Sequence, residues 1–409
     1  MRIAILTDND FGKVNGVTTT LKAVLRYAPP DLRLRVFTAC REEADTPEYR
    51  ALVARGIPIP CYREMEMFWP GRTRLKAEVQ RFAPSVLHLT TPGPIGLVAL
   101  HIQRALRLPM VGSFHTDLAA YAHLLTGSRA AGRVMAGFLR WPYGKCEHVL
   151  APSEATRQLL LAGRGRAADS VSIWRRGVDT SAYAPVHRSA ALRESWGVSD
   201  ARPAVLYVGR VSKEKGLDLL APLTSTLSEA GHAHRLVVVG EGPYLDELRR
   251  VLPDAVFTGV LGGAALAEAY ASADIFAFPS ATDTAGNVVL EAQSSGLPVL
   301  VTNRGGPQEN LDAGTSGLVL PAGDVSAWAR ALGPMISDNR RRQLLGHGAR
   351  AYAERRSWHE ALAPLYGWYR LLASQVPRIS SGHAWMTSPA LSRPQHSSAP
   401  ASWAGVLPS

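Results

Sequence analysis

The feature that most constrains this chain is a pattern that runs once and then starts again. Short apolar runs recur, each followed by a loop and then a stretch with helical spacing. In the first half the runs are Arg2–Thr7, Leu34–Thr38, Val86–Leu89, Met110–Phe114, Val149–Ala151 and Val171–Trp174. In the second they are Ala204–Val208, Leu236–Val239, Val256–Phe257, Ile275–Phe278 and Val299–Val301. Such runs are too short for helices and too evenly apolar for strands with one wet face. They suit strands of a parallel sheet covered by helices on both sides. Helices are predicted between them at Gly16–Ala28, 95–106, Leu217–Glu229, Tyr244–Val251, 264–272 and 288–295, and another after Ser153, with Glu154 in its first turn. The expected fold class is therefore α/β, as two successive doubly wound units. The 409 residues also exceed one ordinary core. The expected division is 1–185, 186–357, a helical 358–377, and a Ser-, Pro- and Ala-rich tail at 378–409 without periodicity that reads as disordered.

The charge is uneven. Residues 1–186 hold 25 Lys and Arg against 15 Asp and Glu, whereas 187–409 hold 20 against 19. A basic first half suits phosphate-bearing ligands or an anionic membrane surface, although an Arg-rich composition would give the same totals. Nucleic acid is not expected as a partner, because no binding module accompanies the charge. Cys40, Cys61 and Cys146 are widely spaced with no C-x-x-C, which points to buried thiols in a reducing cytoplasm. The start, MRIAILTDND, reads as a strand rather than a signal peptide. No apolar stretch is long enough to span a membrane.

In doubly wound sheets ligands sit beyond the carboxyl ends of strands, and the candidate residues fall at such ends. Asp8–Gly12 and Asn15-Gly16 follow the first strand and open a helix, whose N-terminus favours phosphate. The spacing there matches no standard phosphate loop. In "LYVGRVSKEKG", residues 206–216, Arg210 and Lys215 could neutralise a diphosphate, or could lie in a solvated charged loop. In "TDTAGNVVLEAQSSG", residues 282–296, Asp283 sits in a loop and Glu291 a turn into the next helix. Two carboxylates suit a polyhydroxyl ligand, with the loop amides of Ala285, Gly286, Asn287 and Val288 between them. Asp283 could equally complement the helix dipole. His115 ends a strand in "GSFHTD", where packing is the alternative role. No His, Cys and acid cluster has metal-ligand spacing, so no metal site is expected. Residues 62–76 and 118–133 read as loops without a motif.

Taken together, "SFHTD", "APSEATRQLL", "RRGVDTSAYAP", "YVGRVSKEKGL", "VVGEGPYLDEL", "SADIFAFPSATDTAGNVVLEAQSSGLPV" and "GGPQEN" resemble the retaining glycosyltransferases of family 4. The resemblance covers about residues 1–372. It implies the GT-B fold, two Rossmann-like domains facing across a cleft, with the acceptor mainly on the first and the nucleotide sugar on the second. By the resemblance Arg210 and Lys215 bind the diphosphate, and Asp283 and Glu291 reach the transferred sugar and the ribose. Gly16 lets its helix approach the diphosphate, His115 lies near the reacting face of the sugar, and Val260 meets the nucleobase. The family usually needs no metal and holds no tightly bound cofactor, its donor being GDP-mannose or a UDP-hexose. Lipid, glycolipid or glycan hydroxyls are the implied acceptors, reached from the cytoplasmic side, peripherally at a membrane. Trp358, Leu362, Leu365, Tyr366 and Tyr369 form an amphipathic stripe in what resembles the family's closing helix.

Two departures stand out. The first acid is usually Glu, and Asp283 is a methylene shorter; Ala285 stands where an aromatic is common. Alternatives therefore stay open. A nucleotide-sugar 2-epimerase would alter the sugar with no acceptor, and a non-catalytic nucleotide-sugar-binding subunit would bind without turnover.

Overall fold

The computed structural model describes residues 1–12, 15–59, 62–162 and 167–375. The 378–409 tail and Cys61 lie outside the described residues. The first half contributes strands β1 (Arg2–Leu6), β2 (Arg33–Cys40), β3 (Ala44–Asp45), β4 (Tyr49–Val53), β5 (Gly56–Ile59), β6 (Tyr62–Phe68), β7 (Val86–Leu89), β8 (Met110–Ser113), β9 (His148–Ala151) and β10 (Val171–Ile173). Eight of them form one sheet in the order β10-β9-β8-β7-β1-β2-β4-β3, while β5 and β6 make a separate antiparallel pair. Only the short edge pair β3 and β4 of the large sheet is antiparallel.

The second half adds β11 (Ala204–Val208), β12 (Arg235–Val239), β13 (Val256–Gly259), β14 (Ile275–Phe278), β15 (Val299–Thr302) and β16 (Gly317–Leu320). They form an all-parallel sheet in the order β13-β12-β11-β14-β15-β16. In each sheet the chain lays strands to one side of its first strand and then returns to build on the other. The reversals fall between β1 and β7 and between β11 and β14.

The unbroken apolar runs have a direct cause. Every residue of β7, β8, β9, β11, β14 and β15 is buried, because helices cover both faces. Alternation along β1 divides two cores. Ala4 and Leu6 face one cluster with Leu75, Val79 and Ile102, and Ile3 and Ile5 face another with Leu21 and Val24. The last described helix, Trp358–Ser374, packs on this second face of the first sheet. Its Trp358, Leu362, Leu365, Tyr366, Tyr369 and Leu372 are all buried there. Each such side chain is worth about 1.5–3 kcal/mol of burial, and Tyr366 also donates to the Val24 carbonyl at 2.9 Å.

Some expectations are corrected. Residues 62–76 are not a loop but carry β6 and the start of the helix Arg72–Phe82, and 118–133 carries the helices Leu118–Thr126 and Arg129–Tyr143. Leu118–Thr126 lacks the usual stripe, none of its residues being buried, whereas Arg129–Tyr143 carries one apart from its arginines. Both carry cap signals, with Asp117 and Ser128 accepting from the first-turn amides. The helix expected at Leu217 starts at Leu220, after two short 3-10 turns around the left-handed Gly216. β16 and the helices Val325–Ser337 and Asn339–Glu354 complete the second half. Cys40 and Cys146 are buried cysteines.

Candidate active site

At the reversal of the second sheet, the loops after β11 and β14 lie side by side. Gly216 makes this possible: its φ is 69°, and a Cβ there would stand 2.6 Å from the Pro279 carbonyl oxygen. Thr282 Oγ1 ties the loops by donating to the Glu214 carbonyl at 3.0 Å. The packing sets Lys215 Nζ 2.8 Å from Asp283 Oδ2, the two side chains only 12% and 22% exposed. Burial alone would disfavour the ammonium. Asp283, with Tyr121 and Tyr207, more than offsets that, and the Lys215 pKa lies above its ordinary value. Lys215 is therefore a permanent cation at neutral pH. Asp283 thus contacts this lysine, which explains it better than a helix-dipole role. Arg210 lies on the same strand end, its carbonyl accepting from the Tyr207 hydroxyl at 2.8 Å.

The loop carrying Asp283 is braced from behind by the "GGPQEN" segment. The Gly306 amide donates to the Asp283 carbonyl at 2.8 Å, and Asn310 Nδ2 donates to the Ala285 carbonyl. Gly286, at φ 75°, turns the chain into the helix Asn287–Ser294 against Pro307. One turn in, Glu291 Oε2 accepts from the Tyr270 hydroxyl at 2.9 Å. Burial pushes the Glu291 pKa up to about 7, with the Tyr270 bond opposing. A carboxylate held by one hydroxyl keeps acceptor capacity that a vicinal diol could fill. Val288 is partly buried and packs against the core of the second half. Val260 follows β13, two strands out from the reversal, and is 58% exposed.

The first half supplies the opposite wall. Asn15 caps the helix Gly16–Arg26 by accepting from the Val17 and Thr18 amides. A Cβ on Gly16 would meet nothing within 4 Å, so no packing inside the protein demands glycine there. Other helix N-termini of this half already hold carboxylates, Asp117 at Leu118–Thr126 among them. Asp8 accepts from the Ile95 and Gly93 amides at 2.7 and 3.0 Å, and burial raises its pKa to about 6. Glu309, from the second half, accepts from the Glu154 and Ala155 amides at 2.7 and 3.0 Å. Among the described residues, the end at Gly16 is capped by the neutral Asn15 side chain.

Further contacts cross between the halves. Asn287 Nδ2 lies 3.4 Å from the Gly16 carbonyl and 3.3 Å from Thr20 Oγ1. Thr284 Oγ1 donates to the His115 carbonyl at 2.6 Å. Tyr121 is hydrogen-bonded to Thr282, and its hydroxyl pKa is raised by burial. The His115 ring is half-buried, with Nε2 2.8 Å from Ser113 Oγ and Nδ1 3.4 Å from Arg176 Nη2. Burial, then Arg176 and His88, hold its pKa well below the usual histidine range.

The structure thus joins Lys215 to Asp283 and Asn287 to Gly16, and sets His115 against Thr284. Sequence reasoning missed Tyr121, Tyr270, Arg176 and Thr284, and it gave Glu309 no role although its motif had been noticed. None of these carries a local signal, since each matters through a partner distant in sequence. Among the described residues, no group of three or more His, Cys, Asp or Glu could hold a metal ion. No helix among them is long and apolar enough to cross a membrane.

Residues 14–182 match the family described as Glycosyltransferase Family 4, and residues 202–338 match Glycosyl transferases group 1. The chain is 34% identical over 382 residues to a GDP-mannose-dependent alpha-mannosyltransferase of Mycolicibacterium smegmatis, spanning 90% of this chain and 97% of that protein. It is 32% identical over 370 residues to the sulfoquinovosyl transferase of Arabidopsis thaliana, spanning 88% and 71%. Among solved structures, the sucrose-phosphate synthase from Thermosynechococcus elongatus has a TM-score of 0.75, covering 91% of this chain and 99% of that one at 18% identity, a likeness of fold. With two parallel sheets and candidate residues at the reversal of the second, this chain belongs to the family 4 glycosyltransferases and has their GT-B fold.

Proposed function

We propose that the chain is a retaining hexosyltransferase that moves mannose from GDP-mannose to a hydroxyl of a lipid, glycolipid or glycan, with a UDP-hexose as the alternative donor. The observation that carries this reading is the part-buried Lys215–Asp283 pair at the sheet reversal. A cation held beside an acid can bind a diphosphate with one partner and sugar hydroxyls with the other. Arg210 adds a guanidinium at the same strand end, and the Gly16 helix adds the positive end of its dipole from across the cleft. Glu291 takes the ribose hydroxyls. In the reaction the acceptor oxygen bonds to the anomeric carbon as the bond from that carbon to the phosphate oxygen breaks. The departing phosphate takes the acceptor proton, and Arg210 and Lys215 stabilise its charge. The mannosyl donor is supported by the likeness to the GDP-mannose-dependent mannosyltransferase of Mycolicibacterium smegmatis.

A lipid-linked acceptor is supported by the surface beside the cleft. Leu124 and Leu125 end the helix that carries Tyr121, and the next helix exposes Val134, Phe138 and Trp141, at 74%, 37% and 53%. The spacing of these three sets them on one face, with Arg133 and Arg140 beside it. The test is GDP release by purified protein with GDP-mannose and a mannosyl-acceptor panel, alongside the same assay with UDP-glucose. Release that requires acceptor and is lost in Arg210→Ala supports transfer. Conversion of donor without acceptor would instead mean an epimerase, and tight binding without turnover a binding subunit. Liposome co-sedimentation that ignores both anionic lipid and Trp141→Glu would remove the membrane part.

A further inference from the structure

A line of buried polar groups leads away from His115 and is not used by the reaction above. Its first member is Arg176, 2% exposed, whose Nη1 donates to the Trp174 carbonyl at 2.9 Å and whose guanidinium lies 4.4 Å from the Trp174 ring centroid. Arg176 Nη2 approaches His115 Nδ1 at 3.4 Å, and His115 Nε2 lies 2.8 Å from Ser113 Oγ. The same Ser113 oxygen lies 2.7 Å from His88 Nε2, and His88 Nδ1 lies 2.7 Å from the Tyr369 hydroxyl. Ser113, His88 and Tyr369 are fully buried. Tyr369 belongs to the closing helix, 281 positions from His88.

Donor chemistry gives this line a direction. A guanidinium only donates, so His115 Nδ1 must accept, and a neutral imidazole then carries its proton on Nε2. Ser113 Oγ accepts that proton. Its own hydrogen has one remaining partner, His88 Nε2, which leaves the His88 proton on Nδ1, donating to Tyr369. The opposite direction would aim the His115 Nδ1–H at a buried positive charge. That costs more than leaving the Tyr369 hydrogen without an acceptor. Burial holds both rings neutral, His88 with a pKa of about 3.

We propose that Arg176, Ser113, His88 and Tyr369 are positioning residues for His115, forming a one-way hydrogen-bond chain that fixes its Nε2-protonated tautomer and the pose of the loop that turns its carbonyl to the cleft. The proposal rests on reading His115 as a residue of the sugar-facing wall. The chain occupies both ring nitrogens, so the ring acts as a rigid neutral wall rather than as an acid or base. It also ties that wall to the closing helix.

The test is two-dimensional NMR of imidazole nitrogens in the full chain labelled with 15N-histidine, with assignment by His88→Gln and His115→Gln. In the unmodified protein His115 is expected to carry its proton on Nε2 and His88 on Nδ1, both neutral at pH 7. In Arg176→Met the charge that sets the direction is gone and Tyr369 can donate, so both protons are expected on the opposite nitrogens. That flip should lower kcat about tenfold, with the donor KM within about twofold. Identical tautomers on both rings of the unmodified protein, or a cationic His115, would overturn the chain. A flip with unchanged kcat would overturn the positioning role. If Arg176→Met does not fold, Tyr369→Phe serves, because Arg176 still sets the direction and the tautomers should persist; a flip there would overturn the proposal. The nitrogen shifts are read without turnover, so the chain stands or falls separately from the assignment of the reaction.

Discussion

Glu291 gives a prediction that can be worked through. In the free protein burial holds its proton up to about pH 7. If ribose hydroxyls donate to it in the complex, its pKa returns toward the usual carboxylate range. Binding then releases a proton below pH 7, so affinity rises with pH up to about 7 and levels above it. At pH 6 about one carboxyl in eleven is ionised, and at pH 8 about ten in eleven. GDP-mannose should therefore bind about tenfold more weakly at pH 6, a difference of about 1.4 kcal/mol. The phosphates of this donor are both esterified and do not titrate in the range, and His88 and His115 stay neutral throughout. Calorimetry without acceptor from pH 6 to 8 measures the slope. Glu291→Gln should bind more weakly at pH 8 and lose the slope. A flat profile in the unmodified protein, or the same slope in Glu291→Gln, would refute the ribose assignment. Folding stability carries the opposite sign. The raised pKa favours the folded state below the ordinary carboxylate value, and that advantage is lost as pH rises through about 7. Glu291→Gln should accordingly melt higher than the unmodified protein at pH 8, and the gap should narrow at pH 6.

Other perturbations separate the parts of the cleft. Lys215→Met removes the cation and leaves the Asp283 carboxylate without its ammonium; donor turnover should fall about 100-fold or more, and activity above a tenth of normal would count against the diphosphate role. Gly216→Ala puts a methyl 2.6 Å from the Pro279 carbonyl at a φ of 69°. It should cost about 1–3 kcal/mol and turnover as well, and an unchanged denaturation midpoint would contradict the close approach. Glu309→Ala frees two amides of the helix Glu154–Leu161. A loss of about 0.5–2 kcal/mol is expected, with faster amide exchange at Glu154 and Ala155; unaltered exchange there would show that the contact between the halves contributes nothing.

The legible part of the site follows from topology. Arg210, Lys215, Asp283 and Glu291 could be picked out because the apolar runs mark strand ends, and strand ends are where such sheets bind ligands. Less could be read where burial is partial. The helix Leu118–Thr126 reads as a loop because it buries no residue and is apolar on most sides, so no stripe stands out.

By itself the sequence determined where strands buried on both faces must run, since each position in them meets a nonpolar neighbour above or below the sheet. It likewise determined the closing helix, whose stripe at three- and four-residue steps needs a face to cover. Only the tertiary structure decided which face that was, and which groups meet: Lys215 with Asp283, Tyr121 with Thr282, Glu309 with the helix at Glu154, and Tyr369 with His88. The physical reason is that hydrophobic patterning records whether a position is wet or dry, whereas a hydrogen bond or ion pair depends on direction and distance to one partner. That partner can stand hundreds of residues away along the chain.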